Sequence, residues 1–370
     1  MQTLLDQLVY FGFFQSLLLL AMYIFSPSKR KLINGYLAVF VLLITLGLLG
    51  KVIYNLGFFN QNFRLIAMSE FSALLFGPTV YLFSRTILER KKYSKQDILH
   101  YVPGIAYSLF ILFYFIIPSD AILIARGKTG EVNRAIYACH ALGLIVNISY
   151  YIMTILVVKR FNKTLKNEIS YSINYPFLLR FLGVVGMCLL VWLTLYIISI
   201  IGLNKIERNA RPYIWILLSL VILFITYYSI VVPEALNILP KTLHKKYAQS
   251  KLSHTDLEKL KDRLEQIMID KKPYLNNKLL KAELAEIVGI SNPELARLLN
   301  ENIGMNFFEY VNYYRIKEFI VLAQKDNAKQ YTLFGLAQQA GFHSKTTFNT
   351  SFKKLMGSSP SAYFKHNTSL

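Results

Sequence analysis

Hydrophobic residues are concentrated in the first 240 positions, where long apolar runs alternate with short polar segments. The runs cover residues 4–25, 32–50, 65–88, 98–118, 135–158, 178–202 and 212–232. Each run is about as long as a helix needs to be to cross the hydrocarbon core of a bilayer. The last two runs have no polar face that would meet water. We therefore predict seven transmembrane helices in this part of the chain rather than the core helices of a soluble protein.

The remaining 130 residues are more polar, and they contain the same pattern twice. When the chain is laid on itself at an offset of 52 or 53 residues, Leu284 matches Leu336, Ala285 matches Ala337, Gly289 matches Gly341, Ser291 matches Ser344, Gly304 matches Gly357 and Tyr310 matches Tyr363. A repeat of this period indicates two copies of one supersecondary unit. Each copy reads as an amphipathic helix, a turn containing glycine and a second helix.

The spacing within each copy has a mechanical explanation. Ala285 and Ala337 are small enough for two helices to cross closely, and the glycine four residues later accepts the positive φ of a sharp turn. Ser291 and Ser344 follow as N-cap candidates for the second helix. Each copy is therefore predicted to be a helix-turn-helix unit, with Phe307 to Ala323 as the long helix between the two.

These residues resemble the paired helix-turn-helix domain of the AraC family of bacterial transcription regulators. The resemblance is most specific in the second copy, where the family's signature spacings fall on Gly341-Phe342, Ser344, Phe348, Phe352-Lys353-Lys354, Gly357, Pro360 and Tyr363. It covers roughly the last hundred residues. It implies a homeodomain-like tandem domain that binds specific double-stranded DNA, with no cofactor and no metal ion.

The resemblance also implies which residues face DNA, because a recognition helix presents its first two turns to base edges in the major groove. In the first copy these residues are Asn292, Pro293, Glu294, Ala296 and Arg297. In the second copy they are His343, Ser344, Lys345, Thr346, Thr347 and Thr350. Arg297 and Lys345 have the donors that guanine accepts in the major groove. For any one of them, a phosphate contact or a solvated surface position is the alternative.

The predicted fold class is all-α, a seven-helix transmembrane bundle followed by a soluble tandem helix-turn-helix domain. We expect the bundle in residues 1–240, a juxtamembrane basic segment and an amphipathic linker helix in 241–272, and the paired helix-turn-helix in 273–370. Lys241, His244, Lys245 and Lys246 are placed to contact anionic lipid headgroups. In the linker helix, residues 256–269 carry a narrow leucine-rich seam that either pairs two protomers as a homodimer or docks on the helix-turn-helix domain.

Charge fits this division. The formal net charge is +20, and residues 241–370, with 20 basic and 12 acidic side chains, contribute +8. In the tail such a surplus suits a polyanion. In the bundle, the first, third and fifth loops hold more Lys and Arg than the others, which favours those loops as cytoplasmic. Seven crossings then put the N-terminus outside, in the bacterial inner (cytoplasmic) membrane.

A few polar residues lie within the apolar runs, where a charged or amide group would be costly if it faced lipid. Glu70, His140 and Asn147 are the main ones, and they are either ligand contacts or internal polar contacts between helices. Cys139 and Cys188 lack metal-ligating neighbours at zinc-site spacings, which argues against a zinc site and a disulfide framework.

Two functions fit this organisation, beside a third possibility in which the bundle is only an anchor. The first is a membrane-bound one-component transcription regulator, in which the bundle detects an unknown small-molecule or membrane signal and the linker helix passes the change to the DNA-binding pair. The alternative is a membrane transporter or enzyme with an accessory regulatory DNA-binding tail. Catalytic motifs such as HExxH or GxSxG are absent from the apolar runs, and no repeated halves are visible there. We therefore expect a regulator that is not an enzyme.

Overall fold

The computed structural model of the protein describes residues 2–25, 31–57, 64–89, 94–173, 175–203, 212–232, 254–325 and 330–367. The described residues are helical, with turns and a single isolated β-bridge, so the all-α prediction is confirmed. The chain divides into two compact units. The first, called the bundle here, comprises Met1–Val158 and Tyr175–Ile238; the second, called the DNA-binding unit, comprises Lys159–Asn174 and Leu239–Leu370.

The bundle contains the helices that the apolar runs predicted. Its helices are α1 (Gln2–Phe25), α2 (Lys31–Asn55), α3 (Phe76–Glu89), α4 (Val102–Ile111), the short α5 (Asp120–Lys128), α6 (Glu131–Glu168), α7 (Pro176–Ile200) and α8 (Pro212–Ile230). Together with the shorter helical turns beside α3 and α4, they form seven segments long and apolar enough to cross a membrane. The end of α6, from Lys159 onwards, belongs to the DNA-binding unit.

The third segment is interrupted just before Gly77 and Pro78. A 3-10 helix, Met68–Ser72, precedes a turn, and α3 begins only at Phe76. The amide of Asn147 on α6 stabilises this break: its Oδ1 accepts a hydrogen bond from the Gly77 N–H at 2.8 Å, and its Nδ2 donates to the Ala73 carbonyl at 2.9 Å. Asn147 therefore supplies partners to backbone groups that a continuous helix would have paired.

The DNA-binding unit is built from short helices. They are α9 (His254–Asp270), α10 (Lys281–Val288), α11 (Asn292–Arg297, continued as a π-helix to Ile303), α12 (Phe307–Ala323), α13 (Leu333–Gln339), α14 (Lys345–Met356) and α15 (Pro360–Asn367). Helices α10 and α11 form the first helix-turn-helix, and α13 and α14 form the second. The long helix α12 joins the two, as predicted.

Two hydrophobic clusters form the core of this unit, one for each copy of the motif. In the first cluster Leu257, Leu264 and Met268 of α9 pack with residues of α10, α11 and α12. The seam of the linker helix is thus buried within its own chain, which agrees with docking. A homodimer that used the same side chains would have to open this cluster.

The segment Lys159–Asn174, which follows the fifth apolar helix, also packs in the DNA-binding unit. Ile169 and Ser170 are 1% and 0% exposed, and Ile169 forms an antiparallel bridge with Leu280. Glu168 forms an ion pair with the buried Lys281 at 2.7 Å. This connecting segment is therefore part of the core of the DNA-binding unit, and the sequence did not predict that role.

Some sequence-based predictions fall on residues outside those described. The basic juxtamembrane residues Lys241, His244, Lys245 and Lys246 are among them, as are Arg90, Lys91 and Lys92 of the loop between α3 and α4.

Candidate DNA-binding site and a cavity in the bundle

The first helix-turn-helix has the predicted turn and cap. Gly289 ends α10 with a φ of 79°, a conformation that favours glycine. Ser291 then caps α11, and Glu294 closes a capping box by accepting the Ser291 N–H at 2.8 Å. The carboxylate of Glu294, one of the residues expected to face DNA, is thus already bonded to the backbone at the helix start.

In the second helix-turn-helix, other parts of the chain approach the turn glycine more closely. Gly341 has a φ of 95°, and a Cβ at this position would lie 2.3 Å from the carbonyl oxygen of Tyr274. Ser344 caps α14, because its hydroxyl accepts the Thr347 N–H at 3.2 Å. Both conformational freedom and close approach therefore require glycine at position 341.

The predicted contact residues differ in their accessibility. Arg297 is partly exposed and forms an ion pair with Glu301 at 2.8 Å. Asn292 and Thr347 are each 6% exposed, so in this conformation their side chains are not presented to base edges. The positions that are partly or fully exposed are Pro293, Glu294, Ala296, Arg297, His343, Ser344, Lys345, Thr346 and Thr350.

Two further residues on α14 lie on the same exposed face. Asn349 and Lys353 follow Lys345 at intervals of four residues, which continue one face of a helix, and both are exposed. Together with Ser359 and Pro360 they line a concave surface between α14 and the start of α15. The helical period could have identified them from the sequence. A lysine there suits a DNA phosphate.

The connecting segment contacts the start of α14. The Ser172 hydroxyl lies 3.3 Å from the Ser344 hydroxyl and accepts a hydrogen bond from the Thr347 hydroxyl at 3.0 Å. The rings of Tyr171 and His343 pack edge to face, with centroids 5.9 Å apart. Three of the residues expected to face DNA are therefore in contact with the connecting segment.

The same segment is held by a buried arginine of α12. Arg315 is 0% exposed, and its guanidinium donates to the carbonyl oxygens of Tyr274, Asn276 and Ser170 at 2.8, 2.7 and 2.7 Å. Burial lowers the pKa of Arg315 to about 9, which still leaves it charged at neutral pH. It also lies over the Phe342 ring, 5.9 Å from the centroid. One side chain thus joins the segment before α10, the turn of the second motif and the connecting segment.

The three polar residues singled out in the apolar runs line one cavity in the bundle. The cavity has a volume of about 310 Å³, and its walls come mainly from α2, the interrupted third segment, α6, α7 and α8. Glu70 accepts a hydrogen bond from the Tyr107 hydroxyl at 3.4 Å. His140 accepts one from Trp192 Nε1 at 3.1 Å. The amide of Asn147 bonds to backbone groups, as described above, so it acts as an internal polar contact.

Comparisons with known proteins agree with this geometry. Residues 284–366 match a family model described as a helix-turn-helix domain. The chain is 30% identical over 109 residues to a probable transcriptional regulator, LumQ, of Photobacterium leiognathi, a match that covers 29% of this chain and 42% of the relative. It is also 30% identical over 87 residues to a putative AraC-like transcription regulator of Streptomyces lividans, covering 24% of this chain and 28% of that one.

The C-terminal part of the chain is therefore a helix-turn-helix domain of the AraC type. The chain spans less than half the length of these curated relatives. No solved structure matches it.

Proposed function

We propose that this protein is a membrane-bound one-component transcription regulator. Its two helix-turn-helix units bind specific double-stranded DNA in the cytoplasm, and its bundle spans the bacterial inner membrane with the N-terminus outside. A signal received by the bundle changes how the DNA-binding unit engages DNA. The AraC-type domain supports the first part of this proposal, and the seven apolar helices support the membrane location.

One observation carries the link between sensing and DNA binding. Helix α6 runs without a break from Glu131 to Glu168, and the residues that follow it are built into the DNA-binding unit through Ile169, Ser170 and Ser172. A shift or rotation of α6 would pull directly on the partners of Arg315 and on the start of α14. This route to the DNA-binding pair is shorter than the one through α9 that the sequence suggested.

The same observation favours a regulator over a transporter or enzyme with an accessory tail. An accessory tail needs only a tether to the bundle. Here a loop of the apolar region supplies buried backbone and side-chain partners to the helix-turn-helix pair, including both hydrogen bonds from Arg315 to Ser170. We propose that these contacts couple the apolar region to DNA binding.

The contacts at α14 indicate the direction of control. Tyr171 contacts His343, and Ser172 contacts Ser344 and Thr347. These contacts cover part of the second recognition surface, so in this conformation that part is not free to bind DNA. We propose that the signal releases the connecting segment from α14, so that the second recognition helix becomes free to enter the major groove.

DNA recognition is tested with the full chain in nanodiscs and a pool of genomic DNA fragments, at several salt concentrations. We expect enrichment of one sequence pattern, with a preference that persists as salt rises, because base contacts depend on salt less than phosphate contacts do. A variant with Arg297→Ala and Lys345→Ala serves as control and should lose the pattern. Binding without any pattern, lost in salt, would contradict sequence-specific regulation.

Control by the bundle is tested with the double variant Tyr171→Ala, Ser172→Ala, using an enriched fragment in front of a reporter gene. We expect DNA affinity to rise several-fold and reporter output to change without any signal. Tyr331→Ala, which removes an exposed tyrosine elsewhere in the DNA-binding unit, is the matched control. If the double variant behaves as the control does, the connecting segment does not control DNA binding.

A further inference from the structure

The cavity in the bundle has an unusual chemical lining for its size. Aromatic side chains form much of its wall, including Tyr137, Trp192, Tyr196 and Trp215. Among the described residues that line it there is one carboxylate, Glu70, and no lysine or arginine. A carboxylate within a membrane-spanning segment is a candidate contact for a ligand.

The described neighbours do not compensate that charge. Within the described part of the chain, the side chain of Glu70 is bonded to a neutral partner, the Tyr107 hydroxyl at 3.4 Å. The nearest basic residue in sequence, Arg64, forms an ion pair with Asp120 at 2.6 Å instead. His140 does not supply a positive charge in this arrangement, because its Nδ1 accepts the Trp192 hydrogen bond and the ring proton is then on Nε2. Among the described residues, the Glu70 carboxylate therefore has no basic partner in the cavity.

The aromatic wall is held in place. Trp192 is bonded to His140, and Gly143 on α6 lets the indole approach so closely that a Cβ there would lie 2.6 Å from the ring. Ordered indole and phenol faces attract cations through their quadrupoles, most strongly when water is excluded. A carboxylate beside such faces is the arrangement that recognises organic amines.

We propose that this cavity is the signal-binding site and that it takes a small organic cation, an amine with an aromatic or aliphatic body. The ammonium group pairs with Glu70, and the body lies against the aromatic wall. A volume of about 310 Å³ lies at the lower end of the range of small-molecule sites, which suits a small ligand. This assignment rests on the proposed function for its role as the signal site, but binding itself is measured without DNA.

The chain carries its own reporter for this site. It contains two tryptophans, Trp192 and Trp215, and both line the cavity. Intrinsic tryptophan fluorescence of the full chain therefore responds to cavity occupancy. The protein is placed in nanodiscs of zwitterionic phosphatidylcholine, which does not concentrate cations at its surface, and empty nanodiscs serve as blanks.

Three probes with similar bodies separate charge from hydrophobicity: 2-phenylethylamine, 2-phenylethanol and 3-phenylpropionate. We expect the amine to give a saturable change at concentrations at least about tenfold lower than the alcohol, and the carboxylate to give none. Glu70→Gln should bring the amine and the alcohol to within about twofold of each other. Glu70→Asp, which keeps the charge, should retain the preference and shows that the cavity still folds. Glu131→Gln, an exposed carboxylate on α6, is the matched control and should behave as wild type.

Equal responses to all three probes would mean that the cavity takes up apolar molecules or lipid chains without regard to charge, and would overturn the proposal. An amine preference that survives in Glu70→Gln would overturn it as well. The same samples are then tested for DNA affinity. Amine binding with the expected preference but without any change in DNA binding would leave the ligand site established and would contradict its role as the sensor. If the amine does not bind but the double variant Tyr171→Ala, Ser172→Ala clearly changes DNA binding, the ligand site is contradicted while control of DNA binding by the connecting segment is supported.

Discussion

The guanidinium of Arg315 donates two hydrogen bonds to Ser170, one from Nη1 to the backbone carbonyl oxygen at 2.7 Å and one from Nη2 to the hydroxyl at 3.0 Å. The two residues are 145 positions apart in the chain. Arg315 belongs to the helix between the two DNA-binding motifs, and Ser170 directly follows the fifth apolar helix. This contact places a loop of the apolar region in the core of the DNA-binding unit.

Replacing Arg315 should therefore loosen both motifs together. Arg315→Met leaves the carbonyl oxygens of Tyr274, Asn276 and Ser170 without a donor in a buried site, and each lost bond to a charged group is worth about 1.5 to 3 kcal/mol. We expect the DNA-binding unit to lose at least about 3 kcal/mol of stability. Hydrogen exchange of α12 in the full chain should then be about a hundredfold faster.

Lys317→Met is the control for this change, because Lys317 lies two residues further on the same helix and is exposed, over the ring of Tyr313. We expect a loss below about 1 kcal/mol there. Comparable exchange in the two variants would show that Arg315 does not hold the core together.

A reversible cross-link can hold the connecting segment on the second recognition helix. The hydroxyls of Ser172 and Ser344 are 3.3 Å apart, close enough for cysteines at these positions to form a disulfide. In a background with Cys139→Ser and Cys188→Ser, we expect Ser172→Cys, Ser344→Cys to lose specific DNA binding when oxidised and to recover it when reduced. The reduced protein also controls for the weakened helix cap. Full DNA binding in the cross-linked form would show that α14 does not need release.

Two lysines of α14 should contribute to DNA binding in different ways. Lys345 is exposed in the first turn, where a side chain reaches base edges, so Lys345→Ala should cost about 1 to 3 kcal/mol on the preferred sequence and relax specificity there. Lys353 lies two turns later beside the start of α15, so Lys353→Ala should weaken binding to every sequence equally and reduce the salt slope by about 1. Titrations of both variants at several salt concentrations distinguish the two. A uniform loss for Lys345→Ala would reassign it to a phosphate contact.

The elements that sequence analysis predicted correctly are those with strong local signals. The apolar runs identify the seven helices because a long stretch without charges has few other structures available, and the glycine and serine spacings identify the turns at Gly289 and Gly341 because backbone conformation there is a local property. The tandem domain follows from its repeat.

The parts that could not be predicted depend on contacts between distant segments. Apolar and polar residues alternate from Ile169 to Tyr175, but this stretch is too short to show what it packs against. The burial of Ser170 is visible only once Arg315 and Leu279 are seen to bond to it. For the same reason nothing near Thr347 predicts that Ser172 accepts a hydrogen bond from its hydroxyl. Glu70, His140 and Asn147 could be singled out by polarity, but their common cavity depends on how five segments pack.

Acid should weaken the attachment of α12 to the segment before α10. Burial alone would raise the pKa of Glu318, but its hydrogen bonds from Lys272 at 2.9 Å and Tyr274 at 3.0 Å lower that pKa below its usual value of 4.5. A carboxyl whose pKa is lower in the folded state stabilises the fold above its unfolded pKa, and this contribution is lost as pH falls through the folded value.

We expect protection of α12 against hydrogen exchange, corrected for the intrinsic pH dependence, to fall below about pH 4.5. The fall should be smaller in Glu318→Gln than in Glu286→Gln, an exposed control. Equal falls would assign the acid sensitivity to other groups.

Two glycines of the second motif separate backbone strain from steric clash. Gly341 and Gly357 both have positive φ, 95° and 78°, so alanine is strained at either position by about 1 to 2 kcal/mol. At Gly357 an added Cβ would meet no heavy atom within 4 Å, whereas at Gly341 it would lie 2.3 Å from the Tyr274 carbonyl oxygen and 3.1 Å from Arg315 Nε. Gly341→Ala must therefore also push the turn away from the residues that Arg315 holds.

We expect Gly357→Ala to lower the stability of the DNA-binding unit by the strain alone, and Gly341→Ala to lower it further and to expose Arg315. Pulse proteolysis of the full chain measures the first effect, and faster hydrogen exchange in α12 for Gly341→Ala alone measures the second. If the two variants are equally stable, the turn at Gly341 moves without disturbing Arg315, and the two motifs are less tightly joined than their contacts indicate.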